Sequence, residues 1–565
     1  MDLLVSQSKP TSETITQRYA VTHKVDDLWI SYASSGNVNV LKESSEMQAI
    51  VAGTLHGPLA DPENIRGAPD KKKLGNLALD SDGSFGLIVV GENTVTVVTD
   101  AGGSIPVCYG WGPDGLAVGT AVHHVAACSG CTTIDKVSAV DFLLNATVCY
   151  PYSWYEEVRL VPPGSVCSFG PNRKKETSTY WQPTEPDDVN DPCDVEEWGR
   201  RLRAQVSSAV QHGLRGKEKG RLLYSGGSDS RAILSLIPRS FDCRPTTVLD
   251  RKNREYRLAK CSASLLGRNL DWVKRPDDYY RSAVRERIDT IGPGRDFQHT
   301  HIFGSIADYI EDANVILGGY LSDTIIKTLY VGNSESYPDR PEQLLGPEPD
   351  RIKGHFFEEE SLSAVSDDIL DQVRRRRQAH HKRLKEIRPL TAGNWHRLWP
   401  LTHALDFAHY LACQAIGPEV VEPFVFSQTY RLASRMPDTG RVDSRVFRKA
   451  FGKEMGLAGF VPTTSGRVPR FGDKIGHEVL RFIRRWRTLK EKIGIEKGDQ
   501  GPWSPDRLRN SPVRPEEHFS EKECEQLYHR TEQLLKDGES ATSFFEGLEH
   551  KQAKVRALAL GFSST

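Results

Sequence analysis

Long apolar runs are missing from this chain: no window approaches the roughly 18 uncharged apolar residues that a bilayer-spanning helix needs. A membrane-spanning role is not expected. Residues 1–20 hold no basic stretch leading into an apolar one, so a secretory signal is not expected either. Cysteine is scarce, with 10 in 565 residues at irregular spacings, far below the density of a disulfide scaffold. A reducing, cytoplasmic setting is the expectation. Neither sign of charge dominates: 74 Lys and Arg stand against 75 Asp and Glu, so the formal net charge of −1 gives no drive toward nucleic acid or an anionic membrane. What is present is a globular apolar share of 38% in a chain long enough to ask for at least two hydrophobic cores.

The texture changes along the chain. Residues 1–181 read as short β-rich runs broken by Gly, Asp and Asn, such as SFGLIVVGENTVTVVTD, which predicts hairpins in a layered β-sandwich of an α+β domain. Residues 182–194, QPTEPDDVNDPCD, are polar and Pro-rich and read as a linker. From 195 to 565 helical patterns alternate with short apolar runs, RLLYS, PTTVLD and NVILGG, which predicts βαβ units and an α/β domain with a parallel sheet. A polar stretch near 337–388 reads as a charged insertion, and its basic run at 374–383, which lacks interleaved aromatics, as a solvated helix face rather than a nucleic-acid contact. The region after about residue 473 reads as charged helix.

The segment RLLYSGGSDSRAILSLI, residues 221–237, carries the chemistry. An apolar strand runs into Ser225-Gly226-Gly227-Ser228-Asp229-Ser230 and then into a helix. Two glycines let backbone N–H groups approach phosphate oxygens, the serines add hydroxyl donors, and the helix start adds a favourable dipole. The loop is no Walker A motif, since GxxxxGK[ST] and its Lys are absent. A plain Ser/Gly turn is the competing reading.

SGGSDS resembles the SGGxDS loop of ATP-pyrophosphatases, and the chain as a whole is similar to the asparagine synthetase family. The other stretches follow in order: DSDGSFGLIVVGENTVTVVTDAGGSIPVCYG, the Pro162-Pro163-Gly164 turn, TTVLDRKNREYRLAKCSASLLG, ILGGYLSDTIIK, and EVVEPFVFSQTYRLASRMP with Pro423 and Phe424. The resemblance implies an N-terminal glutaminase-like domain and a synthetase domain that uses ATP to adenylate a carboxylate. It implies Mg²⁺ held by Asp229 and Asp323, and a place for Gly319 in the second nucleotide-facing loop. A helix cap for Asp229 and a turn residue for Asp323 are the plainer alternatives.

Two departures narrow the reading. Glutamine-hydrolysing members need Cys directly after the initiator Met, and Asp2 stands there, so glutaminase activity is not expected. The pair Cys128 and Cys131, with His123 and His124 nearby, reads as buried thiols rather than a zinc finger. Tyr320 stands where asparagine synthetases carry an acid, which is similar to β-lactam and carbapenam synthetases, whose Tyr helps deprotonate the attacking amine. A packing role under the nucleotide is the alternative. For its carboxylate partner the resemblance points to Glu419, with Asp406 second. For the cation beside the departing pyrophosphate it points to Arg467 or Arg470, with Lys474 close by.

The expectation is an AMP-forming amide ligase that joins a small-molecule or peptide carboxylate to an amine without hydrolysing glutamine, as β-lactam synthetases and lasso peptide cyclases do. Asparagine synthesis from aspartate, and a non-catalytic scaffold, stand as alternatives.

Overall fold

The structure is a computed structural model, and it describes residues 2–10, 17–33, 37–43, 47–65, 70–91, 93–187, 192–275, 284–297, 307–310, 312–327, 363–404, 406–415, 417–471, 515–517, 519–547 and 556–561. The first part of the expected insertion, residues 337–362, and Lys474 with the charged stretch up to residue 514 lie outside the described residues, whereas Glu521–Glu532 of the same charged region is a helix.

Two six-stranded antiparallel sheets form the N-terminal part. One runs β10 (Val158–Leu160), β8 (Cys108–Gly112), β9 (Gly115–Gly119), β1 (Leu3–Ser6), β3 (Leu28–Tyr32), β2 (Val21–Val25). The other runs β12 (Lys175–Thr179), β11 (Ser165–Phe169), β7 (Thr94–Thr99), β6 (Asp82–Gly91), β5 (Met47–His56), β4 (Val38–Glu43). Alternation along the strands sorts their side chains. Ile50 and Ala52 join Ile88, Val90, Leu3 and Val5 between the sheets. Ala49 and Val51 face the other way, with Phe85 and Leu87, under the helix Lys71–Leu79. Leu4 and Ala117 leave the sandwich on its far side, in one cluster with Val125 and Val140 of the helices Val122–Ser129 and Lys136–Asn145. The hairpin read from GEN is present, with Gly91 paired to Thr94.

The helix Val195–Leu214 opens the second part. Asp194 caps it by accepting from the Glu197 N–H, and Leu202, Val206, Ala209 and Val210 form its buried stripe. Five parallel strands follow in the order β15 (Asp271–Lys274), β14 (Asp242–Leu249), β13 (Lys219–Leu223), β16 (Val315–Leu317), β17 (Glu419–Val421). The molecule thus joins an α+β part with two antiparallel sheets to an α/β part with a parallel sheet.

The two parts do not keep separate cores, because one buried cluster runs from Leu4 and Ala117 through Leu222 and Val315 to Leu560. The edge of β17 is closed by polar groups of the first part. Asn37 donates to the Gln414 and Pro418 carbonyls and accepts from the Val420 N–H, all at 2.9 Å, and Thr54 donates to the Val420 carbonyl. The stretch read as a linker is also tied down where described: Glu185 accepts from the N–H groups of Leu390 and Thr391.

The basic run corrects its sequence reading. It lies on the helix Asp367–Ile387, and while Arg374 and Arg375 pair with Asp371 and Asp368 of the same helix, the next two arginines turn inward. Arg376 pairs with Asp135, and Arg377 is buried against Asp141 of the first part. A solvated helix face accounts for only half the run, because two acids from another element match its inner charges.

Candidate functional site

At the C-terminal end of β13, Tyr224 to Gly227 form the turn into the helix Ser228–Leu236. Gly226 has φ of +70°, and a Cβ there would sit 2.8 Å from the Ala259 backbone of the neighbouring helix, so only glycine fits. Ser225 is exposed and its Oγ accepts from the Gly227 N–H at 3.3 Å. The helix begins with no side-chain cap, so its first N–H groups are open to an anion. Ser228 and Asp229 sit at this start, and Ser230 is buried with its hydroxyl toward the Gly227 carbonyl.

The second loop leaves the neighbouring strand β16 through Gly318 and Gly319, and Gly319 lies against the Asp229 backbone. Leu321 takes a left-handed conformation, φ +60°, and starts the short helix Ser322–Ile325. Such a conformation is uncommon for a branched residue, and here it turns Asp323 back toward Asp229.

The two carboxylates converge on one cation. Lys327 Nζ lies 2.6 Å from Asp229 Oδ1 and 2.6 Å from Asp323 Oδ1, and it donates to Ser228 Oγ at 3.1 Å. Burial alone would lower the Lys327 pKa, but the two carboxylates outweigh it and hold the ammonium charged. Asp229 is lifted above the usual carboxylate range by burial, reinforced by Asp323 and opposed by Lys327. Asp323 also feels burial, but Lys327 and then Arg467 hold it low. Lys327 was missed in the sequence although it stands inside ILGGYLSDTIIK, four residues after Asp323, where one helical turn brings the two together.

Tyr320 shares this cleft. Its hydroxyl is 3.0 Å from His409 Nε2 of the helix Phe407–Gln414, and its N–H donates to Glu422 Oε2 at 3.0 Å. Glu422 is fully buried, and burial pushes its pKa up to about 8. A Cβ on Gly318 would lie 1.9 Å from Glu422 Oε1, so the glycine makes room for this carboxyl. Burial first, and then Cys413 and Glu422, raise the Tyr320 phenol well above its ordinary value, which keeps it protonated.

The predicted residues separate accordingly. Ser225, Gly227, Asp229, Ser230, Gly319, Tyr320, Asp323 and Asp406 line one cavity of about 370 Å³ with His409, Thr246 and Glu255. Ser228 joins them through Lys327, and Gly226 forms the floor of the turn. Glu419 does not join them: it begins β17 and pairs with Lys217, while Glu422, three residues later, is the carboxyl at Tyr320. Arg467 is exposed near Asp323. Arg470 is exposed, and its N–H bonds the Gly459 carbonyl. Arg231 was also missed; fully buried, it donates to the Ala458, Val461 and Pro462 carbonyls and holds that loop against the helix Ser228–Leu236. A more open cleft of about 580 Å³ lies between Asp135 and Gln372, but it is lined by opposed charges such as Arg159 and Asp368 and has no glycine turn or paired carboxylates.

No protein-family profile matches the chain, and no curated protein sequence matches it. Among solved structures the chain is similar to one described as the allosteric regulatory enzyme of purine biosynthesis, with 10% identity and a TM-score of 0.19 over 44% of this chain and 66% of that one. It is similar also to glutamine phosphoribosylpyrophosphate amidotransferase from B. subtilis complexed with ADP and GMP, with 11% identity and a TM-score of 0.19 over 35% of this chain and 47% of that one. The chain spans less than two thirds of the length of either.

Proposed function

We propose that the protein is an ATP-dependent, AMP-forming amide-bond ligase that takes its nitrogen from an amine substrate and not from glutamine. The observation that carries this reading is the convergence of Asp229, Lys327 and Asp323 at the Gly226-Gly227 turn, in the same cavity as Tyr320 and His409.

In the first step a substrate carboxylate oxygen attacks the α-phosphorus of ATP, and pyrophosphate leaves. The turn and the helix start bind phosphate oxygens, and Lys327 offsets the charge that builds on the leaving group. The residues present fit a magnesium ion, since Asp229 and Asp323 already direct hard oxygens at a single cation position, filled here by an ammonium. Asp229 and Asp323 would hold Mg²⁺, which supplies charge neutralisation on the triphosphate.

In the second step the amine nitrogen attacks the acyl carbon and AMP leaves. The nitrogen must lose a proton. Tyr320 accepts it at Oη while passing its own proton to His409 Nε2, so the phenol never has to stand as a free phenolate in a buried setting.

The test is ATP–pyrophosphate exchange with Mg²⁺ across a panel of carboxylates, with product formation compared for glutamine, ammonia and no added nitrogen. Exchange followed by coupling that ignores glutamine is expected. Aspartate-dependent exchange with an ammonia requirement would replace this reading with asparagine synthesis, and no exchange with any carboxylate would remove the adenylation step.

A further inference from the structure

Away from the nucleotide cleft, a second polar cluster joins the two parts of the molecule. The helix Val122–Ser129 buries two consecutive histidines, His123 at 3% and His124 at 1% exposure. Opposite them stands Asp289 of the helix Val284–Ile291, with its Oδ1 3.3 Å from His123 Nε2. One ring nitrogen from each histidine and one carboxylate oxygen of Asp289 all lie within 4.8 Å of one another.

Neighbouring groups hold these side chains in place. The Tyr19 hydroxyl is 2.8 Å from His124 Nδ1, and His124 Nε2 is buried with no hydrogen-bond partner among the described residues. Arg18 grips the other Asp289 oxygen, Oδ2, and shares its charge with Asp2 at 3.2 Å.

We propose that His123, His124 and Asp289 form a binding site for a divalent transition-metal ion of the zinc type, which ties the helix Val284–Ile291 to the N-terminal part. Two imidazoles with one carboxylate make a borderline donor set that suits zinc and does not suit magnesium. Zinc bonds of about 2.0–2.1 Å in a tetrahedral site place neighbouring ligand atoms about 3.3 Å apart. The His123–Asp289 separation of 3.3 Å already matches such an edge. Tyr19 on one imidazole and Arg18 on the carboxylate are the outer partners that orient metal ligands and fix the tautomer. Three protein ligands leave a fourth position for water. The proposal does not depend on the ligase reading.

The test uses the full-length protein equilibrated with excess ZnCl₂, desalted, and measured for metal by mass spectrometry. About one zinc per chain is expected, falling at least about tenfold in Asp289→Asn and in His124→Ala, and unchanged in Asp323→Asn. A wild-type chain that retains no zinc would overturn the site. So would zinc retained by both ligand variants, or zinc lost only when Cys128 and Cys131 are changed to Ser. Cobalt substitution of the wild-type protein gives a reading that does not depend on variants folding. Visible d–d bands without a near-ultraviolet thiolate charge-transfer band are expected; the thiolate band would move the ion to cysteine and overturn the proposal.

Discussion

The Tyr320 hydroxyl lies 3.0 Å from Nε2 of His409, and their rings are tilted at a centroid distance of 4.4 Å. A phenol whose pKa burial has raised is a poor base alone, but it is a good relay when an imidazole stands behind it. Tyr320→Phe is therefore expected to slow amide formation by roughly 10²–10⁴-fold while ATP–pyrophosphate exchange stays near the wild-type rate. His409→Gln should show the same split. Equal loss of both steps in Tyr320→Phe would assign the ring to packing under the nucleotide.

Lys327 is 5% exposed and stands between two carboxylates, so each partner depends on the other two. Lys327→Met leaves Asp229 and Asp323 facing each other without a cation. Because the Asp323 side chain is 58% exposed and screened by water while Asp229 is 20% exposed, a loss smaller than the about 3–5 kcal/mol of a fully buried pair is expected in urea unfolding. Asp229→Asn should keep the circular-dichroism spectrum and abolish pyrophosphate exchange. Full exchange activity in Asp229→Asn would remove this residue from the nucleotide site.

Much of this site was legible because its parts are contiguous in sequence. SGGSDS and GGYLSD each show their glycines and acids within six residues, and a strand before a turn is a local pattern. The partner of Tyr320 was not legible, because three carboxylates compete within reach of Pro423: Asp406, Glu419 and Glu422. Asp406 lines the cavity and Glu422 takes the Tyr320 N–H, while β17 begins at Glu419, whose side chain goes to Lys217. His409 carries no motif at all. The inner charges of the basic run were hidden for a similar reason, since their partners Asp135 and Asp141 lie more than 230 residues upstream.

Glu422 makes stability depend on pH in a definite direction. Its folded pKa, about 8, lies above its ordinary value of 4.5, so between these values the folded chain holds a proton that the unfolded chain has released. The stabilisation is complete below the ordinary value, falls as pH rises through this window by at most about 1.4 kcal/mol per unit, and is gone above about pH 8. Glu422→Gln keeps an oxygen for the Tyr320 N–H but cannot ionise. Thermal unfolding of this variant should show a flatter profile across the window and a higher midpoint than wild type above pH 8. Parallel profiles for the two proteins would mean that Glu422 is not protonated in the fold.

The pairing of Arg377 with Asp141 sets how firmly the part with the parallel sheet sits on the part with the two antiparallel sheets. Arg377 Nε and Nη2 meet the two oxygens of Asp141 at 2.9 and 3.0 Å, and Nη2 also donates to the Thr147 carbonyl at 2.7 Å. Asp141 in turn accepts from Asn145 Nδ2 and the Cys149 N–H, so its charge is held by three donors of which Arg377 is the only cation among those described. Arg377→Met buries Asp141 without a countercharge and should cost about 3–5 kcal/mol in denaturant unfolding. Arg377→Met combined with Asp141→Leu removes both charges and should recover a large part of that loss, because a matched apolar pair needs no desolvation of ions. If the double variant is instead as unstable as the sum of the two single ones, the arginine acts through Thr147 and its own packing, and the ion pair is not what fastens the two parts together.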